Sequence, residues 1–179
     1  ASVEQYMKEN GYESRLEGFD WQFNLIQDNS VNAWCMSGGK VAFYTGIMPI
    51  CQDETGVAVV MGHEIAHAIA RHGNERVSQS LALQGLATGT DLLLLIKEKP
   101  AAARQMVNLA YGVGGQLGML AYSRKHESES DEMGLIFMAM AGYNPSEAPV
   151  FWDRMGQLGG ERPPVMLSTH PHPEKRQED

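Results

Sequence analysis

The run Asp53-Glu54-Thr55-Gly56-Val57-Ala58-Val59-Val60-Met61-Gly62-His63-Glu64-Ile65-Ala66-His67-Ala68-Ile69-Ala70-Arg71 decides how this chain is read. Asp53 can cap a helix start by accepting backbone N–H groups of the first turn. Val57, Val60, Met61, Ile65, Ala68 and Ile69 then recur at the three-and-four spacing of a helical face, so a helix is predicted over residues 54–71. Inside it sit His63 and His67, four apart and therefore one above the other on one face. Two imidazoles so placed can reach one zinc ion, and Glu64 between them projects beside it, where a carboxylate can take a proton from a coordinated water. The small and apolar neighbours Val60, Gly62, Ile65, Ala66 and Ala68 would bury that site.

A catalytic zinc takes three protein ligands and keeps one open position. The third ligand has six candidates: His72, His126, Glu127, Glu129, His170 and His172. A metzincin would carry Gly and His where this chain has Ala70 and Gly73, so that class is excluded. His72 falls on the opposite side of the predicted helix from His63 and is expected to face solvent. Glu127 fits best. It belongs to Glu127-Ser128-Glu129-Ser130-Asp131 on a helix predicted over 122–141 that is otherwise apolar at Leu135, Phe137, Met138 and Met140. Glu127 and Asp131 share a face one turn apart, which suits a metal-binding carboxylate and an acceptor for a ligating imidazole. Glu129 and Glu132 read as solvated. A deformylase-like hydrolase would instead need a Cys ligand in a strand motif, and neither Cys35 nor Cys51 is so placed; they read as two buried or half-buried thiols.

Upstream of this helix the periodicity is that of strands. Trp21, Phe23 and Leu25 alternate with Gln22 and Asn24, which predicts a half-buried strand within 20–27. Residues 31–36 and 40–44 flank Ser37-Gly38-Gly39 and predict a hairpin. Helices are expected after residue 53: over 74–85 with an extension to 96, after Pro100, over 122–141 ended by Gly142, and from Pro145 to about residue 158. Strands first and helices after is an α+β pattern, mainly helical, with a small N-terminal antiparallel sheet of about three strands beside the metal helix. The 179 residues form a one-domain length in which a core can be buried.

Taken together these motifs resemble the CAAX-prenyl-protease and HtpX-like zinc metallopeptidases, gluzincins of the HExxH…ExxxD type. Asn32-Ala33, Gly38-Gly39-Lys40 and Tyr44-Thr45-Gly46 resemble the strand-and-turn segment of that family (20–45). His63 to His67 with Arg71-His72 resembles its metal helix (53–72). Glu127 to Asp131 with Gly134 resembles its third-ligand helix, and His170-Pro171-His172-Pro173 with Arg176 its C-terminal signature (168–179). The resemblance covers about residues 20–179 and implies zinc ligands His63, His67 and Glu127, Glu64 as general base, and Asp131 orienting His63. It implies further that His170 stabilises the oxyanion and that Arg176 braces the loop. Membrane-embedded relatives have spanning helices between the second and third ligands. This chain has a weakly apolar, Gly-rich stretch there and resembles the soluble periplasmic and mitochondrial intermembrane-space branch instead.

Substrate, compartment and partners follow as expectations. A peptidase of this design grips an extended polypeptide as an added strand, and Asn32-Ala33-Trp34, just before the metal helix and free of proline, is the expected edge. The expected substrates are unfolded or misfolded polypeptides, in quality control of an envelope compartment, periplasmic or outer-membrane-associated in a bacterium or membrane-peripheral elsewhere. A net charge of −8 with scattered Lys and Arg argues against nucleic acid. The stretches 81–96 and 105–122 are broken by Gln84, Gly85 and Asp91 and by four glycines, and neither reaches the roughly 20 apolar residues of a spanning helix. Membrane association would then require an export signal or lipid anchor upstream of Ala1. The glycines of 81–120 also make that segment a candidate lid over the site.

Overall fold

A computed structural model of the protein describes residues 2–158 together with Met166 and His170. After a first helix, α1 (Ser2–Glu9), the three strands β1 (Gln22–Ile26), β2 (Ala33–Met36) and β3 (Lys40–Tyr44) form one sheet in the order β1-β3-β2. The predicted hairpin is present: Gly38 and Gly39 turn the chain at φ 93° and 88°, and β2 runs antiparallel to β3 with Ala33 opposite Phe43. β1, however, lies on the far side of β3 and parallel to it, Gln22 opposite Lys40 and Ile26 opposite Tyr44. The expected antiparallel sheet is therefore mixed, because alternation announces a strand without giving its direction. Burial differs too. Phe23 and Leu25 stay 59% and 62% exposed, and the central β3 supplies the core through Val41, Ala42 and Phe43.

A short helix, α2 (Met48–Cys51), leads into α3 (Glu54–Ala70). Asp53 caps α3 as expected, its Oδ1 accepting from Thr55 N at 2.9 Å and Gly56 N at 3.1 Å. The β-branched residues of α3 are poor helix formers by themselves. Burial overrides that preference: Val59, Val60, Ile65, Ala66 and Ile69 are all buried, and the helix is apolar nearly all round, as a core helix must be. Arg71 stops it in the left-handed region at φ 61°. The helices α4 (His72–Ile96), α5 (Ala101–Met140) and α6 (Glu147–Gln157) follow. The helix expected over 122–141 is the last part of α5 and not an element of its own. Glycines cost a helix about 1 kcal/mol each relative to alanine but keep their N–H groups, so Gly112, Gly114, Gly115 and Gly118 do not interrupt the ladder as proline would.

The described residues divide into two compact units, one within 2–71 and 125–158 with Met166 and His170, the other His72–Arg124. In the first, α3 packs against β2 and α6 around Val41, Phe43, Ile47, Val60, Ile69 and Phe151. The second, which contains the segment 81–120, pairs α4 with the first part of α5. Thr90 and Tyr111 hydroxyls meet at 3.1 Å, and the Asp91 carboxylate accepts from Arg104 Nε at 2.9 Å and Asn108 Nδ2 at 3.2 Å. No described helix is long and apolar enough to cross a membrane. Cys35 and Cys51 are free thiols.

Candidate metal centre

The site begins with a close crossing of two helices. A Cβ on Gly62 would lie 2.8 Å from Gly134 O, and one on Gly134 would lie 2.9 Å from His63 N. With hydrogen at both positions the α3 backbone and the last part of α5 touch directly. The residues of α5 that face this contact are buried at the helical three-and-four spacing: Glu127, Ser130, Gly134, Phe137 and Met138. That places Glu127 and Asp131, two turns and one turn before Gly134, against the two imidazoles of α3.

His63 Nδ1 lies 2.8 Å from Asp131 Oδ1. A carboxylate accepts there, so His63 carries its proton on Nδ1 and presents the Nε2 lone pair inward. Around that lone pair the other donors close in. His67 Nε2 is 3.1 Å away, His170 Nδ1 3.2 Å and Glu127 Oε2 3.4 Å. Glu127 Oε1 is 3.4 Å from His67 Nε2, and His170 Nδ1 is 3.1 Å from Glu127 Oε2. His63, His67, Glu127 and His170 are all buried, and they form the one such donor group among the described residues. A tetrahedral ion with metal–nitrogen bonds of about 2.0–2.1 Å has ligand–ligand edges of about 3.4 Å. The observed separations are those edges, and converging lone pairs repel one another unless a cation lies between them. The donor set fits a small divalent metal.

Protonation points the same way. Burial drives the His67 imidazolium pKa down to about 2, although Glu127 beside it pulls in the opposite direction, so the ring is neutral and able to ligate. Burial alone would raise the Glu127 pKa, but the imidazoles of His170, His63 and His67 around it outweigh burial and hold the carboxyl well below the usual carboxylate range. Burial pushes the Cys35 and Cys51 thiols up to about 12, so neither is a thiolate at neutral pH.

Most residues singled out in the sequence meet here. Glu64 is buried on the same face, its Oε1 3.3 Å from His170 Nε2. His170 Nδ1 lies inside the donor set, and its backbone N–H is held by Met166 O at 2.8 Å. His72 is buried and not solvent-facing, and like His126 and Glu129 it lies outside the donor group. Ala33 is buried on β2, with Asn32 and Trp34 half-buried beside it. Arg176 lies outside the described residues. Trp152 of α6 escaped the sequence reading: its ring meets His63 edge-on at 5.2 Å, closing the apolar side of the site. Only an inward-facing aromatic on an amphipathic helix could have signalled it.

The contact between Asp131 and His63 is directly testable. In Asp131→Asn the acceptor loses its charge and the amide can turn its NH2 toward Nδ1, releasing the ring. A 10–100-fold loss of metal affinity is expected, about the usual effect of an outer hydrogen-bond partner, with unchanged circular dichroism. Titration with a competing chelator measures it.

Comparisons with known proteins come to the same place. The family model for peptidase family M48 matches residues 1–179. The chain is 36% identical over 163 residues to the mitochondrial metalloendopeptidase OMA1 of Arabidopsis thaliana, covering 91% of this chain and 31% of that protein. It is 35% identical over 174 residues to the mitochondrial metalloendopeptidase OMA1 of Saccharomyces cerevisiae, covering 93% and 48%. It is also 30% identical over 166 residues to the beta-barrel assembly-enhancing protease of Escherichia coli K12, covering 89% and 33%. The chain thus spans about a third to a half of the length of these relatives. Its full-length match and its paired histidines and glutamate agree: the chain belongs to peptidase family M48, the class of metalloproteases that its named relatives represent.

Proposed function

We propose that this chain is a zinc endopeptidase that cuts unfolded or misfolded polypeptides in an envelope compartment. The observation that carries the reading is the buried cluster of three imidazoles and one carboxylate, with the Glu64 carboxylate 3.3 Å from His170. A zinc ion there would supply a Lewis acid and lower the pKa of a coordinated water to about 7. His63, His67 and Glu127 hold the ion, Asp131 keeps His63 in its ligating tautomer, and Glu64 takes the proton of the attacking water. His170, whose Nδ1 lies among these donor atoms, is assigned to donate to the developing oxyanion, a role worth about 3 kcal/mol in hydrolases. Arg176 is assigned to brace this C-terminal segment. The envelope location, periplasmic or outer-membrane-associated in a bacterium, draws support from the E. coli relative named as beta-barrel assembly-enhancing and from the mitochondrial relatives. An anchor outside this chain would supply membrane association.

The substrate strand is assigned to the outer edge of β2. Tyr44 N donates to Asn32 O at 3.1 Å, so Asn32, Trp34 and Met36 turn their backbone groups toward β3 while Ala33 and Cys35 turn theirs away from it. An added strand would bond to Ala33. Proline at 33 removes that N–H without removing a β2–β3 bond, so Ala33→Pro is expected to raise KM at least about tenfold with metal content unchanged, because only the added-strand pairing is lost. An unaltered KM ends the assignment.

The central test is a metal analysis of the purified chain together with cleavage of casein. About one zinc per chain and chelator-sensitive cleavage are expected. Stoichiometric zinc with no cleavage of any unfolded polypeptide would turn the reading toward a binding module of the same ancestry.

A further inference from the structure

The α4–α5 unit carries an apolar surface far larger than its own pairing needs. The side of α5 facing α4 is formed by Val107, Tyr111, Gly115 and Met119, and Gly115 receives the side chain of Leu83. On the opposite side of the same helix, about half a turn away, lies a second apolar stripe. Met106, Leu109, Val113, Leu117 and Leu120 are 74%, 67%, 53%, 64% and 50% exposed. Their spacing, with Met106, Val113 and Leu120 seven apart, is that of a helix seam awaiting another helix. Beside it runs a column of small exposed residues, Ala103, Ala110, Gly114 and Ala121, which lets a second backbone approach closely. From residue 105 to 123 there is no charged side chain to repel a copy of itself.

The large stripe is also symmetric. About Val113, Met106 mirrors Leu120 and Leu109 mirrors Leu117, while the small column is centred one residue earlier, Ala110 with Gly114 and Ala103 with Ala121. A stripe that reads alike from both ends is what a two-fold axis across an antiparallel helix pair requires. We propose that two copies of this chain associate through α5, crossing antiparallel at Val113, so that Leu109 of one copy packs on Leu117 of the other. The five side chains present on the order of 500 Å², and with the flanking small residues the contact approaches the roughly 800 Å² per partner of a standard specific interface. The seven further exposed apolar side chains on α4, among them Leu81, Leu86, Leu92 and Ile96, take the unit past the about 300–600 Å² patch that a monomer ordinarily leaves to water.

A lipid surface suits these observations less well. No described helix is long and apolar enough to cross a membrane. A helix lying in the interface needs a polar face rich in Lys and Arg, which this stretch lacks, and the chain's net charge of −8 disfavours anionic headgroups.

The test uses the full chain with its metal. Light scattering after size exclusion should give twice the chain mass at micromolar concentration for the parent and the chain mass for Leu109→Lys/Leu117→Lys, with equal helicity and metal content. The single variants Leu109→Lys and Leu117→Lys serve if the double variant does not fold. Val113→Cys should form a disulfide-linked dimer on mild oxidation, while the parent, with Cys35 and Cys51 only, should not. A monomeric parent overturns the proposal, and so does a dimer that survives the lysines. A monomer that instead floats with phosphatidylethanolamine–phosphatidylglycerol vesicles, and loses them in the lysine variant, assigns the stripe to lipid and likewise overturns it.

Discussion

Glu64→Gln is expected to lower kcat by about a thousandfold, in the middle of the 10²–10⁴ range attributed to a positioned general base, while the metal stays bound. The substitution keeps the volume and shape of a side chain that is only 4% exposed, so packing around α3 is preserved. It removes a carboxylate that lies beside His170 and outside the donor set of His63, His67, Glu127 and His170. The amide cannot accept the proton of the attacking water. Glu64 is not one of the four grouped donors, and its Oε1 stands 3.3 Å from His170 Nε2, so the ligand set itself is kept. Single-turnover cleavage of a fluorogenic peptide, read beside metal content by mass spectrometry, separates the two effects. Activity within tenfold of the parent at full metal occupancy would remove Glu64 from the role of base.

Metal removal should produce the second large effect. The four buried donors would be held together by a bound cation, and an ion present at about a thousand times its dissociation constant would add about 4 kcal/mol to folding stability. For a chain of this size that is a fall of roughly 10 °C in Tm on chelation, with activity abolished. Glu127→Ala should show the chelated Tm from the start, respond no further to chelator, and carry less than about a tenth of a metal per chain, since the remaining imidazoles supply no charge to offset the ion. A Glu127→Ala variant that retained stoichiometric metal would show that the carboxylate, held 3.4 Å from both His63 and His67, is not a ligand.

What could be read from the residues was the part that local chemistry dictates. Asp53 and the apolar spacing of 54–71 announce α3, and the four-residue interval of the imidazoles puts them on one face of it. Gly38-Gly39 announced the hairpin. Glu127 and Asp131 stood out because two acidic side chains one turn apart on an apolar helix need a partner. The misses concern relations between distant segments. Nothing in Gln22–Ile26 tells a parallel neighbour from an antiparallel one, and the exposure of Phe23 and Leu25 depends on which strand takes the centre of the sheet. The 40-residue length of α5 was hidden by glycines that weaken a helix without ending it. His72 was assigned to water by extending α3 past Arg71, whose left-handed backbone in fact ends that helix and voids the angular argument. The entry of His170 Nδ1 into the donor group depends on a segment anchored by Met166 N to Val31 O at 3.3 Å, a contact across more than a hundred residues with no local signature.

The donors come from chain positions 63, 67, 127 and 170, so the contacts that assemble them close gaps of 43 to 107 residues. Translation therefore delivers the paired histidines long before the carboxylate, and the last imidazole later still. A ribosome-bound fragment ending before residue 127 holds two ligands and cannot form the cleft. The donor group is therefore incomplete until the last of its imidazoles has been made.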